Sequence, residues 1–334
     1  MKTIETIFNL QLFAGQLNTQ TTLLSATNND LSPEMKTYYS DYLIDNAVPK
    51  LVHDQFGQKH PIPKNGGKTI EFRKYSPLPK LTEALTEGVT PDGQPLSVST
   101  ITATIAQYGG YVTLSDMLML TAIDNNLVQA TKLLGAQAGA TLDTITREVL
   151  VGGTNVVYSG GKSARSALTA SDVLTVADIK KAVRALKNQN ADKIGNSYVA
   201  IIHPDVAYDL TNDPKWEAVK SYSDPSDWYE GEIGRIAGVR FVETTEAKIF
   251  AKAGASSQAV YATLVLGDNA YGVTEIEGGG LEHIVKQLGS AGTADALNQR
   301  ATVGWKATKV AERLVEQFMV RIESGCTFNP SEGN

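Results

Sequence analysis

The chain has 334 residues, of which 42% are hydrophobic and 20% are charged, and this composition excludes a chain that is disordered throughout. Thirty Lys and Arg against 36 Asp and Glu give a formal net charge of −6, which argues against a protein whose task is to grip nucleic acid. Its single cysteine, Cys326, excludes an intrachain disulfide and a thiolate metal cluster. No stretch approaches the ~18 apolar residues of a membrane span, so we expect no membrane contact.

The first segment, residues 1–32, is poor in charge and shows no sustained hydrophobic period. It fits an arm that orders against a partner, and it fits equally a terminus without a role. From Pro33 apolar residues recur at helical spacing, which predicts a helix that ends near Gly57 with Ser32 as its N-cap. Lys68 to Tyr75 then alternates like a strand.

The next segment, Pro77 to Ser99, is unusually long for a connection inside a compact domain, where about 4–6 residues are typical. It contains four prolines and two glycines, and few large apolar residues. Strand-like alternation returns after residue 100 and continues to Leu114. We expect a long two-stranded excursion that projects from the body and, because isolated hairpins are marginal in water, rests on another surface.

A long helix is predicted from Ser115 to about Leu150, with a possible bend at Gly135 and Gly139. At 1.5 Å per residue such a helix would extend roughly 50 Å. The Gly/Ser/Thr-rich stretch from residue 152 to 170 is the best candidate for a domain boundary.

A second lobe begins with a helix that Thr175 caps, with Asp178 at the third helical position. A continuous apolar strand, residues 198–202, follows and is halted by His203-Pro204. Further strands are predicted at residues 239–243, 259–266, 271–276 and 281–287. The tail, residues 301–323, alternates and is expected to return to the first lobe, which makes the second an inserted α/β lobe.

Few residues suggest chemistry. His203 and Asp205 lie at a strand end, where catalytic groups occur in α/β folds, but they equally fit the start of a helix. Four acidic residues between 221 and 232 could bind a hard cation or form a solvated turn, and their spacing matches no known loop: Asp224, Asp227, Glu230 and Glu232. We therefore predict no catalytic residue, no cofactor and no metal site.

Several strings of the sequence resemble the major capsid proteins of tailed phages, in particular the coat family named after the podovirus N-four. They include Leu85-Thr-Glu-Gly-Val-Thr-Pro91, Gln107-Tyr-Gly-Gly-Tyr-Val-Thr-Leu-Ser-Asp116, Gly231-Glu-Ile-Gly-Arg-Ile-Ala-Gly-Val-Arg240 and Asp295-Ala-Leu-Asn-Gln-Arg-Ala-Thr-Val-Gly-Trp-Lys306. The matching strings run in the family's order from about Pro33 to Ser324.

The resemblance implies an α+β protein with the Hong Kong-type capsid fold. It also implies a division of the chain into six segments: an N-terminal arm (1–32), the first part of the peripheral domain (33–76), an extended loop (77–114), the spine helix with its linker (115–170), the axial domain (171–290) and a return to the peripheral domain (291–334).

The function implied is that of a coat protein without catalysis, whose copies form the hexamers and pentamers of an icosahedral shell around double-stranded DNA. The partners implied are portal and scaffolding proteins and possibly decoration proteins. DNA is enclosed without sequence-specific binding, and the location is the virion, assembled in the host bacterial cytoplasm.

Seven extended-loop residues are predicted to contact neighbouring copies: Lys80, Leu81, Glu83, Leu85, Glu87, Val89 and Asp92. Two other functions remain open. One is an encapsulin-like compartment, which shares the fold and holds enzyme cargo, and the other is a hydrolase that uses His203 and Asp205.

Overall fold

The structure is a computed structural model that describes most of the chain from residue 52 onwards. The described ranges are 17–18, 52–64, 67–84, 87–88, 90, 92–122, 126–216, 234–276, 279–290, 295–330 and 332–334. Predictions that fall elsewhere, including most of the helix from Pro33, the arm before it and the acidic residues between 221 and 232, lie outside the described residues.

Helices and strands alternate irregularly along the described residues, which is the mixed α+β pattern that the sequence predicted. The helices are α1 Asp116–Thr121, α2 Asn126–Val151, α3 Val176–Asn188 and α4 Pro204–Thr211. The strands are β1 Leu17–Asn18, β2 Gln58–Lys59, β3 Thr69–Tyr75, β4 Val98–Thr104, β5 Ala106–Ser115, β6 Val156–Tyr158, β7 Tyr198–Ile202, β8 Arg235–Ile236, β9 Val239–Glu243, β10 Ile249–Phe250, β11 Val260–Leu266, β12 Tyr271–Thr274, β13 Glu282–Lys286, β14 Arg300–Arg313 and β15 Met319–Ser324.

The chain divides into two compact units. The first unit comprises Met1–Pro49, Gln107–Leu142 and Gly279–Thr308, and the second comprises Lys50–Ala106, Asp143–Gly278 and Lys309–Asn334. Helix α2 and strand β14 each contribute one part to the first unit and one part to the second.

In the first unit, β5 lies between β1 and β14, and β13 pairs antiparallel with β14. Leu134 and Ala138 of α2 pack on the apolar side chains of β14, among them Trp305. The indole nitrogen of Trp305 donates a hydrogen bond to Gln137 Oε1 at 3.2 Å, so the ring is buried without losing its polar partner. A smaller cluster around Leu118 continues this core to α1.

Two glycines allow the backbones of β5 and β14 to approach closely. A Cβ atom at Gly109 would lie 2.7 Å from the carbonyl oxygen of Trp305, and one at Gly304 would lie 2.8 Å from Tyr111 Cβ. Real Cβ atoms do not approach so closely, so both positions require glycine. These glycines belong to two of the strings that carry the resemblance. Close contact between β5 and β14 is the physical reason for glycine at these two positions.

The second unit contains a seven-stranded mixed sheet in the order β6-β15-β11-β7-β9-β8, with β10 beside β11. Every residue of β7 and β11 is buried, which is typical of central strands covered on both faces. One face packs on α3 and α4 through the cluster that contains Ile179 and Leu210. The other face packs on the end of α2 through the cluster that contains Leu150 and Tyr271.

The starts of two helices follow the predicted chemistry. Thr175 Oγ1 accepts from the Asp178 backbone N–H at 3.4 Å and donates to Asp178 Oδ2 at 2.7 Å, so Thr175 caps α3 and Asp178 orients the capping hydroxyl. The predicted inward face of α3 is buried. His203 caps α4, and Pro204 occupies the first helical position.

Two helix predictions need correction. The helix expected over Ser115 to Leu150 is two helices, because α1 ends at Ala122, whose backbone is extended, and α2 begins at Asn126. The helix expected to end near Gly57 is not present over its last described residues, because residues 53–56 form turns. There the His53 backbone N–H donates to Asp143 Oδ1 at 2.8 Å, and its ring nitrogen Nδ1 lies 2.6 Å from Asp143 Oδ2. These tertiary bonds replace the helical ones.

The tail also differs in part from the expectation. Strand β15 pairs antiparallel with β11 and parallel with β6, so it is a member of the second unit's sheet. The expectation placed the whole tail with the first lobe. The six-segment division implied by the resemblance stays a prediction.

Candidate assembly surface

The predicted two-stranded excursion is present as a hairpin of β3 and β4, which we call the hairpin. The strands pair antiparallel over seven residues, from Thr69 opposite Thr104 to Tyr75 opposite Val98. At its base the apolar side chains of Phe72 and Ala103 point inward and are partly or fully buried, as strand alternation requires. The hairpin is a separate two-stranded sheet among the described strands.

Beyond this base the hairpin is open to solvent. Every described residue from Arg73 to Thr100 is exposed except Gln94, which is half-buried. Past the strands, one further backbone hydrogen bond joins the two arms, from the Ser76 N–H to the Ser97 carbonyl oxygen at 3.0 Å. A two-stranded ribbon of this kind has little stability of its own in water.

Five large apolar side chains lie exposed on this part of the hairpin. The most exposed are Leu81 at 78% and Leu96 at 71%, and the others are Tyr75, Leu78 and Val98. Exposed apolar groups that cluster on one projecting element mark an interaction surface more often than single exposed residues do. The hairpin therefore carries the apolar surface that contact with another molecule would bury.

The predicted contact residues lie on this open part of the chain. Lys80, Leu81, Glu83, Glu87 and Asp92 are exposed. None of the four charged residues forms an ion pair with another described residue, so their charges face solvent. The remaining two, at positions 85 and 89, lie outside the described residues.

Sequence reasoning missed four of the exposed apolar residues: Tyr75, Leu78, Leu96 and Val98. A signal was available, because Leu78 lies between two prolines and Leu96 follows a third. Proline cannot donate a ladder hydrogen bond, so apolar residues among prolines are poor candidates for a buried strand. The described sheets leave these four residues exposed, so a partner could bury them.

His203 and Asp205, the pair that a hydrolase would use, form hydrogen bonds within the fold. His203 Nδ1 accepts the Asp205 backbone N–H at 3.2 Å, and Asp205 Oδ2 accepts from the Tyr261 hydroxyl at 2.7 Å. Burial lowers the pKa of His203, although the Asp205 charge opposes this, and a neutral ring can accept the capping bond. Burial and Asp205 together raise the pKa of Tyr261, which stays a donor. Both side chains thus stabilise the start of α4.

A cavity of about 720 Å³ lies elsewhere in the second unit, between the start of α3 and the end of α4. Neither His203 nor Asp205 lines it. Its carboxylates are already engaged, since Asp209 accepts from the Thr327 backbone N–H and hydroxyl, and Asp213 accepts from the Val176 N–H. Both carboxylates of this cavity therefore hold parts of the fold together.

Two further properties of the described residues concern metal ions and membranes. These residues contain no group of three or more His, Cys, Asp or Glu side chains that could hold a metal ion. None of their helices is long and apolar enough to cross a bilayer.

Comparison with known proteins was made by sequence family, by curated sequence and by structure. A family model described as phage capsid protein matches residues 56–287, more than half of the chain. No curated protein sequence matches the chain. Among solved structures, the capsid of cyanophage P-SCSP1u is 13% identical with a TM-score of 0.68, and the match covers 92% of this chain and 98% of that one.

Two further capsid structures share the fold. The capsid of Ralstonia phage GP4 is 16% identical with a TM-score of 0.66, covering 89% of this chain and 97% of that one. The capsid of cyanophage Pam1 is 16% identical with a TM-score of 0.68, covering 89% and 98%. These matches confirm the predicted Hong Kong-type capsid fold, whereas membership of the N-four subfamily stays a prediction. By its family model, over a fold shared along almost the whole of these capsid chains, this chain belongs to the phage capsid protein family and is a shell-forming major capsid protein of tailed phages.

Proposed function

We propose that copies of this chain assemble as hexamers and pentamers into an icosahedral shell around phage double-stranded DNA, and that the hairpin is the main clasp between neighbours. The single observation that supports the clasp is the row of exposed apolar side chains on the hairpin. The protein performs no catalysis in this role. Assembly takes place in the host bacterial cytoplasm, with portal, scaffolding and decoration proteins as further partners.

The energetics favour apolar contact over charge pairing at this surface. Burying one leucine or valine side chain fully is worth about 1.5–3 kcal/mol. An exposed ion pair contributes about 0–1 kcal/mol, so the charges of Lys80, Glu83, Glu87 and Asp92 set register and specificity more than strength. Strand addition along the open arms would supply further backbone hydrogen bonds. Leu81 and Leu96 are therefore the residues on which the contact depends most.

The proposal is tested first by removing the tip of the hairpin. We expect a variant that lacks Leu78 to Leu96, with Pro77 joined to Ser97 through a short glycine turn, to fold as a monomer but to form no shells, because the deletion removes three of the five exposed apolar side chains. It should still fold, because the deleted residues lie beyond the buried base of β3 and β4. Thermal melting checks the fold, and negative-stain microscopy checks for closed particles. Normal particles from this variant would show that the loop is not the main clasp.

Point variants then separate apolar from charged contributions. Leu81→Asp should raise the critical concentration for shell assembly about tenfold or more, since it removes one buried leucine from every repeated contact. Glu83→Gln, two residues away on the same exposed stretch, is the matched control and should change it less than threefold or so. Equal effects of the two variants would contradict an apolar clasp.

A further inference from the structure

Helix α3 has two chemically opposite faces. Its inward face is apolar and buried against the sheet of the second unit. Its outward face carries four cations, all exposed: Lys180, Lys181, Arg184 and Lys187. We call these four side chains the basic face. They span eight residues of helix, and the seven steps from the first to the last cover about 10 Å along its axis.

Most of this charge is unbalanced. Lys181 Nζ lies 2.8 Å from Asp178 Oδ1 at the start of the helix. Lys180, Arg184 and Lys187 form no ion pair with any other described residue. Like charges at i and i+4, as in Lys180 and Arg184, destabilise a helix slightly. The basic face is therefore a positive patch whose repulsion an anionic partner would relieve, on a chain of net charge −6.

The chain itself contains an anionic segment that matches this patch. Residues 221–232 hold four carboxylates and no cation: Asp224, Asp227, Glu230 and Glu232. We propose that the basic face of one copy binds this acidic segment of a neighbouring copy. This inference rests on the self-assembly proposed above and names one of its contacts. A contact between two different patches is heterologous, and such contacts form a ring, as a capsomer requires, when the rotation from copy to copy closes.

Nucleic-acid phosphate is the other polyanion within a shell. The observations favour the acidic segment, because a net charge of −6 repels DNA as a whole, whereas the segment is present in every neighbouring copy at a fixed ratio. Exposed ion pairs are individually weak, so their effect should fall on the rate and the salt dependence of assembly. Screening weakens them beyond about 8–10 Å at physiological salt.

Charge reversal in both patches gives a sharp test. The basic-face variant is Lys180→Glu with Arg184→Glu and Lys187→Glu, and the acidic-segment variant is Asp224→Lys with Asp227→Lys and Glu230→Lys. Each alone should raise the critical concentration for assembly about tenfold or more at low salt, because like charges then meet. An equal mixture of the two variants should assemble at a lower critical concentration than either variant alone. In alternating order a reversed face meets a reversed segment and an unchanged face meets an unchanged segment, and a five-membered ring keeps one contact between like charges. A chain that carries all six changes should also assemble.

The matched control reverses three exposed lysines on separate elements, Lys64, Lys252 and Lys286, and should change the critical concentration much less. Thermal melting of each variant establishes that it folds. If the basic-face variant does not fold, the version with glutamine at the same three positions replaces it, and its assembly should lose salt dependence.

Each remaining outcome overturns the inference. Assembly of the basic-face variant at the wild-type concentration would show that the face is not a contact. Rescue by the six-change chain but not by the mixture would place the pairing within one copy, and rescue by neither would refute pairing. Normal assembly with weakened binding to a DNA duplex in a gel-shift assay would identify the partner as DNA. Failure of the wild type to form shells refutes the proposed function instead.

Discussion

Glu323 is a buried carboxylate held between two guanidinium groups in the second unit. Arg165 donates to it from Nε at 2.7 Å and from Nη2 at 2.6 Å, and Arg321 donates from Nε at 2.7 Å. Phe250 supports the arrangement, because the Arg165 guanidinium lies 3.5 Å from its ring centroid. One anion thus pairs with two cations from separate parts of the chain.

Removing this anion should destabilise the fold strongly. We expect Glu323→Gln to lower the free energy of unfolding by about 3–5 kcal/mol, because two partly buried cations lose their counter-charge. Glu282→Gln, which breaks the exposed pair with Lys306, is the control and should cost about 0–1 kcal/mol. Urea unfolding of the unassembled protein measures both. Similar losses of unfolding free energy in the two variants would show that the Glu323 cluster stabilises the fold no more than an exposed ion pair does.

The carboxylate of Asp172 makes stability depend on pH. Burial raises its pKa, but hydrogen bonds from the Thr169 hydroxyl and backbone N–H and the charge of Lys162 outweigh this, so the pKa lies below its usual value. Because the folded pKa is below the unfolded one, the stability it contributes is complete above about pH 4 and is lost as the pH falls through the folded pKa.

We therefore expect the wild-type free energy of unfolding to fall more steeply below about pH 4 than that of Asp172→Asn, which has no carboxyl to protonate. Urea unfolding at a series of acidic pH values measures the two slopes. Parallel curves would show that this carboxylate does not contribute.

At the scale of elements, helix α2 offers two adjacent leucines in opposite environments. Leu134 is 4% exposed and packs against β14, whereas Leu133 is 52% exposed. Leu134→Asp should unfold the first unit or cost at least about 3 kcal/mol, since it buries a charge without a partner. Leu133→Asp should change the stability of the monomer by about 0.5 kcal/mol or less. Equal melting temperatures of the two variants would show that Leu134 does not contribute to the core.

Local signals predicted the elements better than their ends. Thr175 caps its helix as the sequence indicated, because a cap depends only on residues a few positions away. For His203 and Asp205 the sequence left a helix start open beside a catalytic pair, and the structure shows a helix start with His203 as its cap. The break before α2 was missed, although Asp124 and Asn125 are residues favoured at helix starts. The turns at residues 52–57 could not be predicted, since the bonds of His53 reach Asp143, 90 residues along the chain.

At the scale of the whole molecule, the order of strands was beyond sequence reasoning. Alternation in the tail predicted strands correctly, but not that β15 would lie beside β11 and β6. Pairing is decided by contacts between distant segments, which periodicity does not encode. The resemblance supplied the fold class where local patterns could not. On the hairpin, the Pro-rich composition indicated a projecting element, and the prolines beside Leu78 and Leu96 were a signal that these residues stay exposed. The exposure of Tyr75 and Val98 emerged only from the structure.

The charge of the whole chain leads to one further prediction. We expect the purified protein to bind duplex DNA weakly, with no complex at tens of micromolar protein or so in about 0.15 M salt, because binding that releases counterions needs a surplus of cations. A gel-shift titration at two salt concentrations measures this. A tight complex that weakens steeply with added salt would contradict it.

The hairpin also has a consequence for the time between synthesis and encapsidation. A newly made subunit exposes the leucines of the hairpin to identical subunits. Shell assembly and non-specific aggregation therefore compete for the same apolar surface. Substitutions that make the hairpin less apolar should slow both assembly and aggregation. The yield of closed shells should pass through a maximum as the concentration of subunits increases.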